Sequence, residues 1–573
     1  MKKLVSRFMA VLMAMTMILS MSMTAFAAEA PKGTLTVNNT VAEKTLDLYQ
    51  IFTATKSGEN VAYTLNSAYK GFFQNKISGA STLTGEALSE KAYEYVQKQV
   101  GTNGDAETAK TFAKDMLGWI LDSNNNITVT KTVETTATST VVSDLAYGYY
   151  LVYPKGATDT SKAPGNQTYT SAASLVSITA ETATINMKSN YPTVDKKIIP
   201  AQSGSGAKVD AIVNDNWENV SHMGLDEDDE NESEDTIAPR GAADEKKAGD
   251  FGIGDTVTYQ LTSKVPDMTG YNSYTFKFSD TLSNGLDLKE VLSVKVGNTT
   301  LTAKKTGANT YALAYDQAKR TLTVTLNDFY NSYKNRTGET ITVVYTATLN
   351  KDAVIGMNPN TNKAVVEYSN DPKSTGTGTS EPSIVDAHTF DFTIYKYYLK
   401  NQNKIALANA EFELYKANTE GTAATNAMIK IVDEKNGVYR QATPEEAKVT
   451  DFTSAKIVSD DDDGKVLVKG LDAGTYYLRE TKAPEGYNKL LSDIKVEIKP
   501  VYDETTGKLT SYSVDYTYNG KTTNGTAITN KTDSPEVAVE NKTGAQLPST
   551  GARTALLLTL AGVVLFAFMA AST

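Results

Sequence analysis

Apolar and polar residues alternate with a period of two along most of this chain. Thr45-Leu-Asp-Leu-Tyr-Gln-Ile-Phe52, Thr321-Leu-Thr-Val-Thr-Leu326 and Ile341-Thr-Val-Val-Tyr-Thr-Ala-Thr348 are runs of this kind. Successive side chains of a strand point to opposite faces, so the alternation predicts strands with one face on a core and the other in water. One region follows a different period. Between Gly85 and Asp122, residues Ala92, Tyr95, Val96, Phe112, Met116 and Trp119 recur every three or four positions. That spacing predicts two helices, separated at Asn103-Gly104-Asp105. Strands resume at Ile127 and run through Tyr149-Tyr-Leu-Val-Tyr153 to Ala183-Thr-Ile-Asn-Met187. The expectation is a mainly β chain, with tandem Ig-like β-sandwich domains behind an α+β N-terminal domain.

Two apolar stretches do not alternate. Phe8 to Met23 follows Lys2, Lys3 and Arg7 and precedes Ala25-Phe26-Ala27. This is the order of a secretory signal peptide cut after Ala27; the alternative is an N-terminal membrane anchor. Thr554 to Ala570, near the C-terminus, is just long enough to span a bilayer. The exported part is long enough for three or four domains. We divide the chain into a signal peptide (1–27), an N-terminal domain (28–188), a middle domain (189–385), a C-terminal domain (386–546) and a terminal signal (547–573). The middle domain carries an irregular acidic insertion at 201–249, in which eight of the ten residues from Asp226 to Asp235 are acidic.

Composition narrows the chemistry. The chain has no Cys, so disulfides cannot brace it and no thiol nucleophile exists. Its two histidines are His222, in the acidic insertion, and His388, in what reads as a linker between domains. Neither placement suits a His-based triad or a zinc site. The acidic run lacks the spaced oxygen ligands and Gly of a Ca²⁺ loop and reads as a solvated loop, and Asp460 to Gly464 reads as a hairpin turn. No metal or cofactor is expected, and no turnover enzyme. A net charge of −11 argues against nucleic-acid binding.

One kind of chemistry is favoured: amide formation between side chains. A Lys amine can attack an Asn carboxamide and release ammonia. The Lys must be neutral, which burial promotes by lowering its pKa. A carboxylic acid held protonated by the same burial must polarise the Asn carbonyl. The fold must hold amine and carbonyl together. Lys in one apolar strand, Asp or Glu in a second and Asn in a third are therefore the signature. Lys396 lies among aromatics in Phe392-Thr-Ile-Tyr-Lys-Tyr-Tyr398, and Asn541 follows Val537-Ala-Val-Glu540. Tyr477-Leu-Arg-Glu-Thr-Lys-Ala-Pro-Glu-Gly-Tyr487 closely matches a YxLxETxAPxGY box. On these residues the C-terminal domain resembles the Cna-B-type domains of Gram-positive surface proteins. The resemblance implies a Lys396–Asn541 isopeptide bond with Glu480 as catalytic acid. Asn530 is the rival acceptor, and an ordinary surface salt bridge is the alternative reading.

In Tyr191-Pro-Thr-Val-Asp-Lys-Lys-Ile198, alternation puts Lys196, not Lys197, on the face of Val194 and Ile198. Asp280 lies in a D-x-L…GL segment ending at Gly285-Leu286, and Asn362 begins Asn-Lys-Ala-Val-Val. These features resemble the isopeptide-forming middle domain of sortase-assembled pilins. The resemblance implies a Lys196–Asn362 bond with Asp280 as acid. Asn360 or Asn358 could replace Asn362, or the set could be unreactive surface residues.

Leu547-Pro548-Ser549-Thr550-Gly551 fits the LPxTG pattern that sortases cleave between Thr and Gly, directly ahead of the apolar stretch. It resembles a cell-wall sorting signal. One departure is that the chain ends Ala571-Ser572-Thr573, without a Lys/Arg tail. From end to end the chain resembles a major (backbone) pilin. That resemblance implies that a class C-type pilin sortase joins Thr550 of one subunit to a Lys of an identical subunit, and that a housekeeping sortase attaches the fibre to peptidoglycan. It also implies accessory or tip pilins, and a wall-anchored surface fibre serving adhesion or colonisation. Lys188 is the first candidate for the linking Lys, eight residues before Lys196, although Met187 replaces the motif's Pro. Lys155, in Tyr153-Pro-Lys, is the second. A single-copy wall-anchored adhesin would need neither.

Overall fold

The computed structural model describes residues 31–101, 106–158, 173–187, 191–202, 204–220 and 247–543. The expected signal peptide, the Asn103–Asp105 break, Lys188, the Asp226–Asp235 run with His222, and the LPSTG segment with its apolar tail lie outside the described residues.

The alternating runs form β-sheets packed in three successive bodies. In the first, the strands Asn60–Leu65, Thr45–Ser57, Gly148–Pro154 and Ser174–Ile178 lie side by side. Tyr49, Ile51 and Leu151 on one face pack against the helices Gly85–Val100 and Ala106–Leu121. Leu46, Leu48, Tyr150 and Val152 on the other face pack against a sheet of Thr138–Ala146, Lys32–Thr40 and Thr182–Asn186. The α+β expectation therefore resolves into three layers with two cores, because the central sheet is apolar on both sides.

The second body is a sandwich. One sheet sets Leu286–Val296, Thr340–Leu349, Thr256–Lys264 and Asp195–Ile199 in that order. The facing sheet contains Ser383–His388, Asn360–Ser369, Phe276–Leu282 and Thr321–Leu326. Two expectations are corrected here. The stretch read as an irregular insertion from 201 is structured at its start: Ala207–Lys208 pairs with Leu286–Val296, and Val209–Val213 is a short helix. Ala207, Ile212 and Trp217 are buried in the sandwich core, since apolar residues of that size gain more from burial than from a solvated loop. His388 is not in a linker. It ends the strand Ser383–His388, is buried, and its Nδ1 lies 3.2 Å from the Gly356 carbonyl.

The third body is also a sandwich. Its Phe390–Lys400 strand lies between Asn403–Ala406 and Lys465–Leu471 and pairs in parallel with the last strand, Glu536–Glu540. The facing sheet centres on Glu411–Ala417, Gly474–Lys482 and Ile494–Tyr502.

The second and third bodies meet through hydrogen bonds. The Ile253 amide donates to the Gly470 carbonyl at 2.9 Å, and Gln441 Nε2 donates to the Ile253 carbonyl at 2.8 Å. Asp250 accepts from the Tyr502 hydroxyl at 3.1 Å. Burial, then the neighbouring charge of Asp250, holds the Asp472 carboxyl well above the usual carboxylate range. A carboxyl raised in this way binds its proton more tightly in the folded chain than in the unfolded one. Its stabilising contribution is complete below the ordinary carboxylate pKa and is lost as pH rises through the folded value. Asp472→Asn is therefore expected to raise the unfolding temperature of this junction at neutral pH and to flatten its rise on acidification, as read by calorimetry across pH. An unchanged pH dependence would show that Asp472 does not carry it.

Candidate cross-link sites

Lys196 faces inward from Asp195–Ile199, fully buried between Val194 and Ile198, whereas Lys197 turns outward and pairs with Asp195 at 3.6 Å. Its amine reaches across the sandwich to the facing sheet. There Nζ contacts Asp280 Oδ2 on the strand Phe276–Leu282. Nζ also donates to the Tyr345 hydroxyl at 2.5 Å and lies 4.7 Å from the Tyr259 ring centroid. Asn362, on Asn360–Ser369, is fully buried and donates from Nδ2 to the same Tyr345 hydroxyl at 2.7 Å. Burial pushes the Lys196 amine down to about 8, with the Asp280 charge opposing, and pushes the Asp280 carboxyl up. Both shifts favour the neutral forms that amide formation needs.

The rival acceptors are engaged otherwise. Asn360 is buried, but its Oδ1 accepts from the Val354 amide at 2.9 Å and its Nδ2 donates to the Val354 and Ala387 carbonyls. It also packs against Gly285, where a Cβ would stand 2.1 Å from Asn360 Oδ1, so the GL pair of the motif leaves room for a structural Asn. Asn358 donates to the carbonyls of Ile355 and Lys531.

In the third body, Lys396 sits on the first strand and Asn541 directly follows the last. The two strands pair in parallel, with Lys396 opposite Val539. The Asn541 amide donates to the Tyr397 carbonyl at 2.9 Å, which fixes the residue beside the Lys strand. Glu480, on Gly474–Lys482 of the facing sheet, spans the other two groups. Its Oε1 lies 3.1 Å from Lys396 Nζ, and its Oε2 accepts from Asn541 Nδ2 at 3.1 Å and from the Leu490 amide at 2.7 Å. Asn541 Nδ2 also donates to the Asn488 carbonyl at 2.6 Å. All three side chains are buried. Burial pushes the Lys396 amine down to about 8, against the charge of Glu480. Asn530 is exposed and caps its own turn, accepting from the Thr532 and Asp533 amides.

Buried polar atoms almost always have partners. Among the described residues, eleven buried side-chain atoms make no hydrogen bond, and five belong to these two triads: Asp280 Oδ1, Asn362 Oδ1 and Asn541 Oδ1, together with Lys396 Nζ and Glu480 Oε1, which face each other as an ion pair. An atom left with neither a hydrogen bond nor an ion pair costs about 1–3 kcal/mol. Both Asn carbonyl oxygens thus lack a donor, which a protonated acid would supply. Asn541→Ala should trap the Lys396 amine unreacted. A Lys lowered in the folded state destabilises it at low pH, and that loss is recovered as pH rises from about 8 toward the ordinary Lys value. The variant should therefore gain on the order of 3 kcal/mol across that window relative to the parent chain. Parallel unfolding curves for the two proteins would rule this out.

Lys155 follows Gly148–Pro154, and the strands Ser174–Ile178 and Thr182–Asn186 then complete the same body. Its Nζ is paired with Asp371 at 3.2 Å and Asp47 at 3.6 Å, where the first body meets the second. Sequence reasoning missed Tyr345, whose hydroxyl contacts both Lys196 Nζ and Asn362 Nδ2. The available signal was an inward-facing Tyr in an alternating strand, whose hydroxyl needs a partner when buried. It also missed the Asn488 carbonyl and the Leu490 amide, for which no residue pattern exists.

Residues 253–372 match the family model for Gram-positive pilin backbone subunit 2, Cna-B-like domain, and residues 391–513 match the SpaA model, a prealbumin-like fold domain. The first match includes Asp280, Tyr345 and Asn362 but not Lys196; the second includes Lys396 and Glu480 but not Asn541. No curated protein matches the chain. Among solved structures, the T6 backbone pilin of serotype M6 Streptococcus pyogenes is 14% identical, with a TM-score of 0.45, covering 90% of this chain and 100% of that one. The Corynebacterium diphtheriae major pilin SpaA is 14% identical at a TM-score of 0.39, covering 89% and 100%. BcpA, the major pilin subunit of Bacillus cereus, is 16% identical at a TM-score of 0.34, covering 90% and 100%. Residues 253–372 thus belong to a Gram-positive pilin backbone domain family, and residues 391–513 to the SpaA prealbumin-like family.

Proposed function

We propose that this chain is a backbone pilin, the repeating subunit of a covalent cell-surface fibre, locked internally by Lys196–Asn362 and Lys396–Asn541 isopeptide bonds and joined head to tail by a sortase. The observation that carries this reading is the pair of buried Lys–acid–Asn triads, each with its amine pushed toward neutrality. Asp280 and Glu480 are the acids. Closure forms the Nζ–Cγ bond, breaks the Asn Cγ–Nδ2 bond and releases one ammonia, with no turnover. Each bond ties the first strand of its sandwich to another sheet or strand. The C-terminal bond joins first to last, whereas Asn362 lies on a strand that Ser383–His388 still follows. A cross-link closing a loop of on the order of 150 residues restricts the unfolded chain by about 5 kcal/mol, by the entropy argument applied to disulfides. Such bonds resist reduction, which suits a chain without Cys.

Outside the described residues, Leu547-Pro548-Ser549-Thr550-Gly551 would supply the acyl group, through the Thr550 carbonyl, and Lys188 the amine. The ion pairs of Lys155 to Asp371 and Asp47 engage its amine and so favour Lys188 as the nucleophile. A pilin sortase, a housekeeping sortase, peptidoglycan and accessory or tip pilins are the partners of this reading, and adhesion or colonisation is its purpose. The test is an immunoblot of the wall fraction from producing cells, boiled in detergent. A ladder of high-mass species is expected. A single monomeric band, with the pilin sortase present, would favour a single-copy wall adhesin.

A further inference from the structure

The two triads differ in how the acid reaches the amide. In the C-terminal domain Glu480 touches both reactants, with one oxygen 3.1 Å from Lys396 Nζ and the other accepting from Asn541 Nδ2. In the middle domain the acid is one methylene shorter. Asp280 pairs directly with Ala364, and Leu282 with Asn362, so Asp280 and Asn362 are diagonal neighbours on adjacent antiparallel strands. Diagonal positions lie roughly 7–8 Å apart, a long reach for Asp. The Asn362 amide nitrogen donates instead to Tyr345, from the facing sheet. That hydroxyl also accepts from Lys196 Nζ, which itself contacts Asp280 Oδ2. It therefore meets the amine and the leaving nitrogen together, with the acid in contact with the amine. Its ring stacks on Tyr259 with centroids 5.3 Å apart, which holds it in place.

We propose that Tyr345 is a catalytic residue of Lys196–Asn362 closure, its hydroxyl relaying the proton from the attacking amine to the departing nitrogen. The relay rests on the proposal that this bond forms. The neutral Lys196 amine attacks Asn362 Cγ, and protonated Asp280 stabilises the charge that develops on Oδ1. Nζ gives a proton to the Tyr345 oxygen while the Tyr345 hydroxyl proton passes to Nδ2. The Cγ–Nδ2 bond breaks, ammonia leaves, and Tyr345 ends as it began. Burial holds the Tyr345 phenol well above its ordinary pKa, which suits a group that passes a proton without ionising. Asp280 and Tyr345 together thus do what Glu480 does alone.

The test is Tyr345→Phe in the full chain, which removes the hydroxyl and keeps the ring stack. Closure is followed by intact mass and peptide mapping over time. Loss of a positioned acid–base group predicts closure at Lys196–Asn362 slowed by roughly 100-fold, with Lys396–Asn541 closing normally in the same molecules. Adding Asp280→Glu to Tyr345→Phe should restore closure, because Glu has the reach that Glu480 shows; a merely structural role for Tyr345 would not be rescued this way. Tyr345→Phe closing at the parental rate overturns the relay, as does a double variant that stays open. A parent chain whose Lys196 is never cross-linked overturns the underlying bond instead, so the two failures are distinguishable.

Discussion

Glu480→Ala is expected to leave one ammonia on the chain and to remove most of the C-terminal domain's resistance to heat and protease. Glu480 is the group that touches both Lys396 and Asn541, so no other side chain among their described contacts can polarise the Asn541 carbonyl. The open chain loses the cross-link's restriction of the unfolded state, about 5 kcal/mol. It also keeps a buried amine whose acid partner has gone, and removing one member of a buried pair typically costs about 3–5 kcal/mol. The Leu490 amide loses its acceptor as well. Against a domain stability of about 5–15 kcal/mol, such losses approach the whole. Glu480→Gln separates chemistry from packing. It preserves shape and hydrogen-bonding capacity but cannot donate an acid proton, so it should also stay open while unfolding at a higher temperature than the Ala variant. Intact mass decides the chemistry and calorimetry the stability. A Glu480→Ala chain that still loses both ammonias would refute the assignment of the acid.

Lys188→Ala is expected to collapse the wall-fraction ladder to monomer while leaving both internal bonds closed. The effect should be all-or-none, because each junction needs one amine per subunit and a fibre with no amine cannot grow. Lys155→Ala should leave the ladder intact. It should instead loosen the contact between the first and second bodies, because its Nζ pairs with Asp371 across that contact. Partly exposed pairs of this kind contribute about 1 kcal/mol or less. The opposite pattern, a ladder lost only with Lys155, would move the junction there and would mean that its ion pairs open for the sortase. A ladder that survives both substitutions would place the junction on a third lysine.

Much of this molecule was legible in the residues. Period-two alternation located the strands because a half-buried strand must present one apolar face, and it selected Lys196 over Lys197 for the same reason. The run Tyr191–Ile198 and the box around Glu480 pointed to the side chains that the fold gathers. The buried start of the supposed insertion was less legible. Trp217 there is separated by a polar stretch from the strands it packs against, and no short-range period marks such a contact. His388 was misread for a related reason, since a strand that ends at a body boundary looks like a linker.

The tertiary structure alone decided where each candidate Asn amide points. Asn358, Asn360 and Asn362 are equivalent in composition and differ only in where their amides point. Asn360 is satisfied by the Val354 backbone, whereas Asn362 shares the Tyr345 hydroxyl with the Lys196 amine. The same is true of Tyr345, whose role depends on two sheets meeting, and of the different reach of Asp280 and Glu480. By itself the sequence determined the face each residue occupies, because that follows from local backbone geometry. Which faces meet, and therefore which amine, acid and amide share one buried space, depends on the packing of strands far apart in the chain, and only the folded arrangement specifies it.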